Sequence, residues 1–134
     1  MKITILENIG QSSRDTPLNL RQFQNQLANS ITKNIVNLLN NICGITPIDR
    51  NYGMLEPYIY IDEKTLNFII GQVKQYEKRL LSFKLSFQEG EQENSLLLHA
   101  VSNCNDIEFI FDAEFVVQKR AGLTYFFIKK NSYG

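Results

Sequence analysis

Leu80-Leu81-Ser82-Phe83-Lys84-Leu85-Ser86-Phe87-Gln88 decides the fold. Leu81, Phe83, Leu85 and Phe87 alternate with Ser82, Lys84, Ser86 and Gln88. A period of two places the apolar set on one face of a half-buried strand. Upstream of this stretch the apolar residues recur every three or four positions, and downstream they keep recurring every second one. The chain therefore divides into helices followed by strands.

Working towards the C-terminus, Glu89-Gly90-Glu91-Gln92-Glu93-Asn94 reads as a turn, and Ser95 to Ser102 as a second strand. Asn103-Cys104-Asn105 is a second turn. Ile107, Phe109, Phe111, Ala113 and Phe115 then alternate with Glu108, Ile110, Asp112 and Glu114, the pattern of a third strand. Gln118 to Gly122 is a turn, and Leu123 to Lys130 a fourth strand. In that last strand Tyr125, Phe126, Phe127 and Ile128 are apolar on both faces. Such a strand is either central in its own sheet or an edge that a partner strand covers.

Towards the N-terminus, Leu66, Ile69, Ile70, Val73, Tyr76 and Leu80 mark the stripe of a helix over 62–78. Asp62 is its N-cap, and Glu63 suits its positive end. Gly71 inside it costs about 1 kcal/mol against Ala unless something packs close there. A longer stripe, Leu20, Phe23, Leu27, Ile31, Ile35, Leu38 and Ile42, with Leu39 broadening it, predicts a first helix over 20–42. It starts near Asn19 or breaks near Ser30, and Gly44 is a natural stop beyond it. Its other face carries Gln22, Asn25, Gln26, Asn29, Asn37 and Asn40, so packing rather than propensity must hold it. That uncharged polar face suits a wet contact surface or plain solvation. Between the helices, Thr46-Pro47 and Glu56-Pro57 forbid helix locally, and Tyr52-Gly53 predicts a fixed turn. Residues 1–18 carry no sustained period and read as a flexible lead-in. Residues 19–134 read as a single α+β domain, two helices packed on one face of a small antiparallel β-meander.

With 134 residues, 43% hydrophobic and 21% charged, the chain has room for one core. Fourteen basic and fourteen acidic residues cancel, which argues against nucleic-acid binding by bulk positive charge. The charges are not evenly spread. Residues 85–118 hold seven acids and no Lys or Arg, whereas Lys119, Arg120, Lys129 and Lys130 follow with no acid. Complementary neighbouring strands explain this, as does a surface with two opposite faces for two partners. The short apolar run Ile3-Thr4-Ile5-Leu6 stops at Glu7, too short for a signal-peptide core, and no stretch is long enough to span a membrane. The expectation is a cytoplasmic protein without direct membrane insertion, with Cys43 and Cys104 as reduced thiols; a single disulfide is the alternative.

Catalytic signals are sparse. His99 is the single histidine and sits inside a strand pattern, so it reads as a structural or exposed strand residue. No phosphate-loop, dinucleotide, zinc-protease or nucleophile-elbow motif occurs. Glu56, Asp62, Glu77 and Asp112 are available for glycoside hydrolysis, but any soluble domain offers carboxylates. No catalytic residue, cofactor or metal is expected.

The informative segment is Tyr76-Glu77-Lys78-Arg79-Leu80, where the second helix meets the first strand. It resembles the aromatic-Glu-Pro-Arg-Leu motif of the TssE family, the small baseplate wedge subunits of type VI secretion systems, which have relatives in contractile phage tails. Residues 30–40, Ser-Ile-Thr-Lys-Asn-Ile-Val-Asn-Leu-Leu-Asn, are similar to that family's first-helix pattern, and Tyr52-Gly53 to its connector. The resemblance spans residues 30–128. Lys78 stands where the family has Pro, so the helix end is less rigidly set.

The resemblance implies a sheath-handshake-like fold and a non-catalytic structural role. The implied protein templates sheath assembly by strand addition, in a baseplate docked at the inner face of the cell envelope. Its partners would be sheath subunits and other wedge proteins, met through Tyr76, Glu77, Arg79, Tyr125 and Phe127. The lysozyme-related name of this family came from phage tails and implies no activity here. Glu77 and Arg79, two apart, are placed to form charge-assisted bonds, either fixing the helix–sheet corner or holding a partner strand. The alternative is a small adaptor or chaperone-like domain of another assembly, using the same exposed strand edge.

Overall fold

The computed structural model describes residues 15–42, 44, 50–56 and 59–132. Two helices, α1 (Asp15–Leu39) and α2 (Glu63–Tyr76), precede four strands: β1 (Leu80–Glu89), β2 (Asn94–Cys104), β3 (Ile107–Arg120) and β4 (Leu123–Ser132). The sheet is antiparallel throughout, in the order β1-β2-β3-β4. The helices pack on one of its faces, and the expected α+β meander is what the chain forms.

α1 runs unbroken through Ser30 and begins four residues ahead of the expected boundary, inside the stretch read as a lead-in. Pro17 falls in its first turn, where no backbone N–H needs an intrahelical acceptor. The helix stops at Leu39, short of Ile42, which instead makes a parallel bridge to Met54 in the connector. α2 is capped as expected: Asp62 accepts a hydrogen bond from Thr65 N–H at 2.8 Å, which also lowers its carboxyl pKa. Nothing lies within 4 Å of a Cβ added at Gly71, so its place in α2 has no packing reason.

Ala28, Ile31, Ile35, Leu38 and Leu39 of α1 and Ile69 and Val73 of α2 meet the inner face of the sheet. That face supplies Leu85, Leu96, Leu98, Ala100, Phe109, Phe111, Ala113, Phe115, Val117 and Phe126. Fully burying each of its larger side chains contributes roughly 1.5–3 kcal/mol. Phe111, Phe115 and Phe126 are the largest fully buried ones.

The alternation in β1 breaks at its start. A register shift between Leu80 and Ser82 makes Leu81 a bulge residue, 54% exposed, and turns Leu80 towards the core instead. Ile107, expected inside, lies beside the β2–β3 turn and is exposed. That turn is Asn105-Asp106, with φ of 58° and 64°, and Cys104 belongs to β2. The β3–β4 turn is Ala121-Gly122, with φ of 50° and 81°. Both are two-residue hairpins with both central residues left-handed, the geometry whose twist matches paired strands. Asn and Asp tolerate that conformation well, and Gly better still.

β4 is an edge strand, not a central one. Its edge is not bare. The carbonyl and N–H of Phe126 both bond to the Asn40 side chain, and Thr124 exchanges hydrogen bonds with Ile59 in the connector. The acidic and basic runs meet as neighbours: Lys129 Nζ lies 2.6 Å from Glu93 and 3.8 Å from Glu114.

Candidate functional site

The corner between α2 and β1 is built around one carboxylate. Glu77 ends α2: its N–H still bonds to the Val73 carbonyl, but its own backbone has left the helix, with φ −127° and ψ 83°. The helix thus terminates at Glu77 without a proline, and Lys78 sits exposed in the turn that follows. This turn brings Arg79 back alongside Glu77. Glu77 Oε2 accepts from Arg79 N–H at 3.0 Å and Nε at 2.8 Å, and Oε1 accepts from Arg79 Nη2 at 2.7 Å. The pair is a bidentate fork, the strongest geometry open to these groups.

Other elements close on the fork. Asn34 of α1 donates from Nδ2 to Glu77 Oε1 at 2.9 Å and to the Tyr76 carbonyl at 3.3 Å. Arg79 Nη1 donates to Ser30 Oγ of α1 at 2.8 Å, and Ser102 Oγ of β2 donates to the Arg79 carbonyl at 2.8 Å. Glu77 is 3% exposed. Burial pushes its carboxyl pKa up, but the donors from Arg79 and Asn34 outweigh burial and hold it below the ordinary carboxylate range. The bonds to Glu77 raise the Arg79 pKa.

The Tyr52-Gly53 turn is fixed from the same side. Tyr52 meets Tyr76 edge-on, ring centroids 5.1 Å apart. The buried Gln72 of α2 donates to the Asn51 carbonyl at 3.0 Å and accepts from Gly53 N–H at 3.3 Å. Gly53 has φ +111°, and a Cβ there would stand 2.6 Å from the Asn41 carbonyl oxygen, so only Gly fits.

Of the expected partner-binding residues, Tyr76, Glu77 and Arg79 share this corner. Tyr125 and Phe127 do not. They lie on β4, at the far edge of the sheet, on the outer face away from the helices. Their rings are 6.3 Å apart, and the Arg120 guanidinium lies 5.8 Å from the Phe127 ring centroid. Phe127 is 41% exposed. Glu77 is oriented inward, where it fixes the position of Arg79. Arg79, with Gln26, Asn29, Lys33 and Asn37 of α1, instead lines a shallow polar groove of about 600 Å³.

The sequence reading missed Asn34, Ser30 and Ser102 as partners in the corner, and Asn40 as the cover of β4. One signal pointed to them: Asn is a weak helix former, and its persistence along α1 is explained where its side chain is needed as a bonding group.

Of the other candidate acids, Glu56 is exposed in the connector. Asp62 caps α2, and Asp112 bonds to His99 Nδ1 on the exposed outer face. Among the described residues no three or more His, Cys, Asp or Glu stand together in a way that holds a metal ion. Cys104 is a buried free thiol whose pKa burial raises; Cys43 lies outside the described residues. Among the described residues no helix is long and apolar enough to cross a membrane. No protein-family model, curated protein or solved structure matches the chain.

Proposed function

We propose that the chain is a non-catalytic structural subunit of a contractile secretion baseplate. It takes a partner strand from the sheath on the outer edge of β1 and contacts other wedge subunits through its helices. In this reading it works in the cytoplasm, in a baseplate docked at the inner face of the cell envelope. The resemblance of Tyr76, Glu77, Arg79 and Leu80 to the wedge motif supplies the identity of the partners.

The observation that carries the reading is the contrast in cover between the two sheet edges. Phe126 turns its N–H and carbonyl away from β3, towards Asn40. Bonding sides alternate along a strand and between its two neighbours. Following the registers from Val117–Phe126 across to β1 therefore leaves Phe83, Leu85 and Phe87 with outward-facing backbone groups. Among the described residues no strand pairs with this outer edge of β1. It begins directly after the Glu77–Arg79 corner, which fixes the angle at which β1 leaves α2. A partner strand laid there gains main-chain bonds, with side-chain contacts setting its register.

The test is amide hydrogen exchange on the chain alone and mixed with purified sheath subunit. The expected result is fast exchange at Phe83, Leu85 and Phe87 in the free protein and strong protection in the mixture. Binding without protection at these three amides, or no binding, overturns the reading. The adaptor alternative uses the same edge; protection of the three amides by an unrelated partner, with the sheath subunit inert, would favour it.

A further inference from the structure

The open edge of β1 carries a concavity as well as outward backbone groups. A cavity of about 780 Å³ touches Ile70 of α2 and Phe83 of β1 on the helix side of the sheet, and Leu97, His99 and Asp112 on its outer face. It therefore wraps around β1, and a strand laid on this edge sits inside it. The apolar cover stops short here. Leu96, Leu98 and Ala100 of the neighbouring β2 are buried, whereas Ile70, Phe83 and Phe87 are only partly buried against the core. Their uncovered surface lies on the helix side, where every second residue of an added strand points.

The charges along this edge are polarised. Lys84 is the one charged residue between Leu80 and Gln88, exposed on the outer face between Ser82 and Ser86. Lys78 is exposed just ahead of β1, and Lys74 stands one helical turn on from Ile70, on the same side of α2. Glu89 and Glu91 close the other end of the edge. Among the described residues none of these three lysines and two glutamates makes an ion pair. Building on strand addition at β1, we infer that this edge selects its occupant by charge. The occupant is a protein strand that alternates apolar with polar residues and sets an acidic side chain beside Lys84, its acidic half towards Lys74 and Lys78 and away from Glu89.

Phe83, Leu85 and Phe87 turn their backbone groups outward, so the residues that bond to them direct their side chains to the helix side, onto Phe83 and Ile70. The residue beside Lys84 then faces the outer side, whichever residue of the occupant it is. Within the sheet Lys84 faces His99, and the acid of that row, Asp112, bonds to His99 one strand further away. An acid on the added strand is the partner that the sheet does not supply to Lys84. A basic side chain there would face Lys84 directly and be repelled.

The experiment titrates two peptides of the length of β1, 10 residues, into the intact chain and reads amide exchange. Both alternate Val and Thr; at one central Thr position the first carries Glu and the second Lys. Each is able to slide by two residues and so selects its own register. The Glu peptide is expected to protect Phe83, Leu85 and Phe87 and to bind about tenfold more tightly than the Lys peptide, the swing between an attractive and a repulsive cross-strand pair. Lys84→Glu should reverse the preference and Lys84→Gln should abolish it. Lys64→Glu, beside the connector on the other side of α2, changes net charge alone and should leave the preference as it is. Equal protection by both peptides overturns charge selection while strand addition stands, as does a preference, or protection by the sheath subunit, that Lys84→Glu leaves unchanged. If neither peptide nor the sheath subunit protects the three amides, strand addition at β1 falls and charge selection falls with it.

Discussion

Two acid–base pairs of the molecule differ in kind, one at the α2–β1 corner and one on the open outer face of the sheet. Glu77 and Arg79 meet in a fork, and the Glu77 side chain is almost fully buried with four donors on its two oxygens. His99 and Asp112 sit opposite each other on β2 and β3, each more than half exposed, with one contact between them. A buried charge must be answered in full, and removing one partner leaves a cost that water cannot relieve. An exposed pair exchanges its partner for water at little loss. The corner is thus a joint that sets geometry, whereas the outer face is a surface whose side chains can change with little effect on the fold.

The largest expected effect tests the joint. Arg79→Ala leaves Glu77 with only Asn34 and the backbone N–H of residue 79. Because Arg79 is itself partly exposed, the loss should be about 2–3 kcal/mol, below the range for fully buried pairs. Acid gives a second readout. The Glu77 carboxyl is held below its ordinary range, so its contribution is fully present above that range and is lost as pH falls through it towards the folded value. In Arg79→Ala burial is less opposed and the carboxyl pKa rises, so the stability gap to wild type should narrow in acid. Urea unfolding at neutral and acidic pH measures both; a gap that stays constant would remove Glu77 ionisation from the joint.

The next effect sharpens the limits of the joint. Gly53→Ala meets the Asn41 carbonyl at 2.6 Å from a left-handed backbone, and should cost about 2 kcal/mol or more in the same assay. Gly71→Ala, on the exposed side of α2, meets nothing within 4 Å. It should stabilise by roughly 0.5–1 kcal/mol, because the native helix accepts Ala while the unfolded chain loses freedom. Two Gly→Ala changes of opposite sign, read from thermal midpoints, separate a backbone constraint at the connector from mere tolerance in the helix.

Much of this architecture was legible, and what was not has physical causes. The switch from a period near 3.6 to a period of two locates both helices and all four strands. The Asp62 cap is a local signal that holds, while Glu77 and Arg79 meet through the turn that ends α2 and not through the alternation of a strand, since β1 begins only at Leu80. The β2–β3 turn is displaced by one residue because Asn103-Cys104-Asn105 and Asn105-Asp106 offer equally good turn chemistry. The bulge at Leu81 is invisible because Leu80 and Leu81 are the same residue type. The position of β4 could not be read from its own residues. A doubly apolar strand looks alike in the centre of a sheet and at an edge whose backbone is met by the side chain of Asn40, far away in sequence. For the same reason Asn34 and Asn40 do not stand out from the solvated Asn and Gln of α1: what they bond to is set by tertiary packing.

The smallest expected effect bears on the other half of the comparison. Asp112→Asn keeps the shape of the side chain and removes its charge, leaving His99 a neutral partner. With both groups exposed, the change in stability should stay within about 0.5 kcal/mol at neutral pH. The outer face also carries Ile110 and Phe127, each substantially exposed. If that face is only solvated, Asp112→Asn should leave every assembly readout unchanged. If a partner seats on it, the pair is desolvated there, and the same substitution should weaken binding while stability holds. Titrating sheath or wedge subunits against wild type and Asp112→Asn distinguishes these outcomes. A stability loss near that of Arg79→Ala would show that the two acid–base pairs are not the different kinds of contact that their exposure makes them.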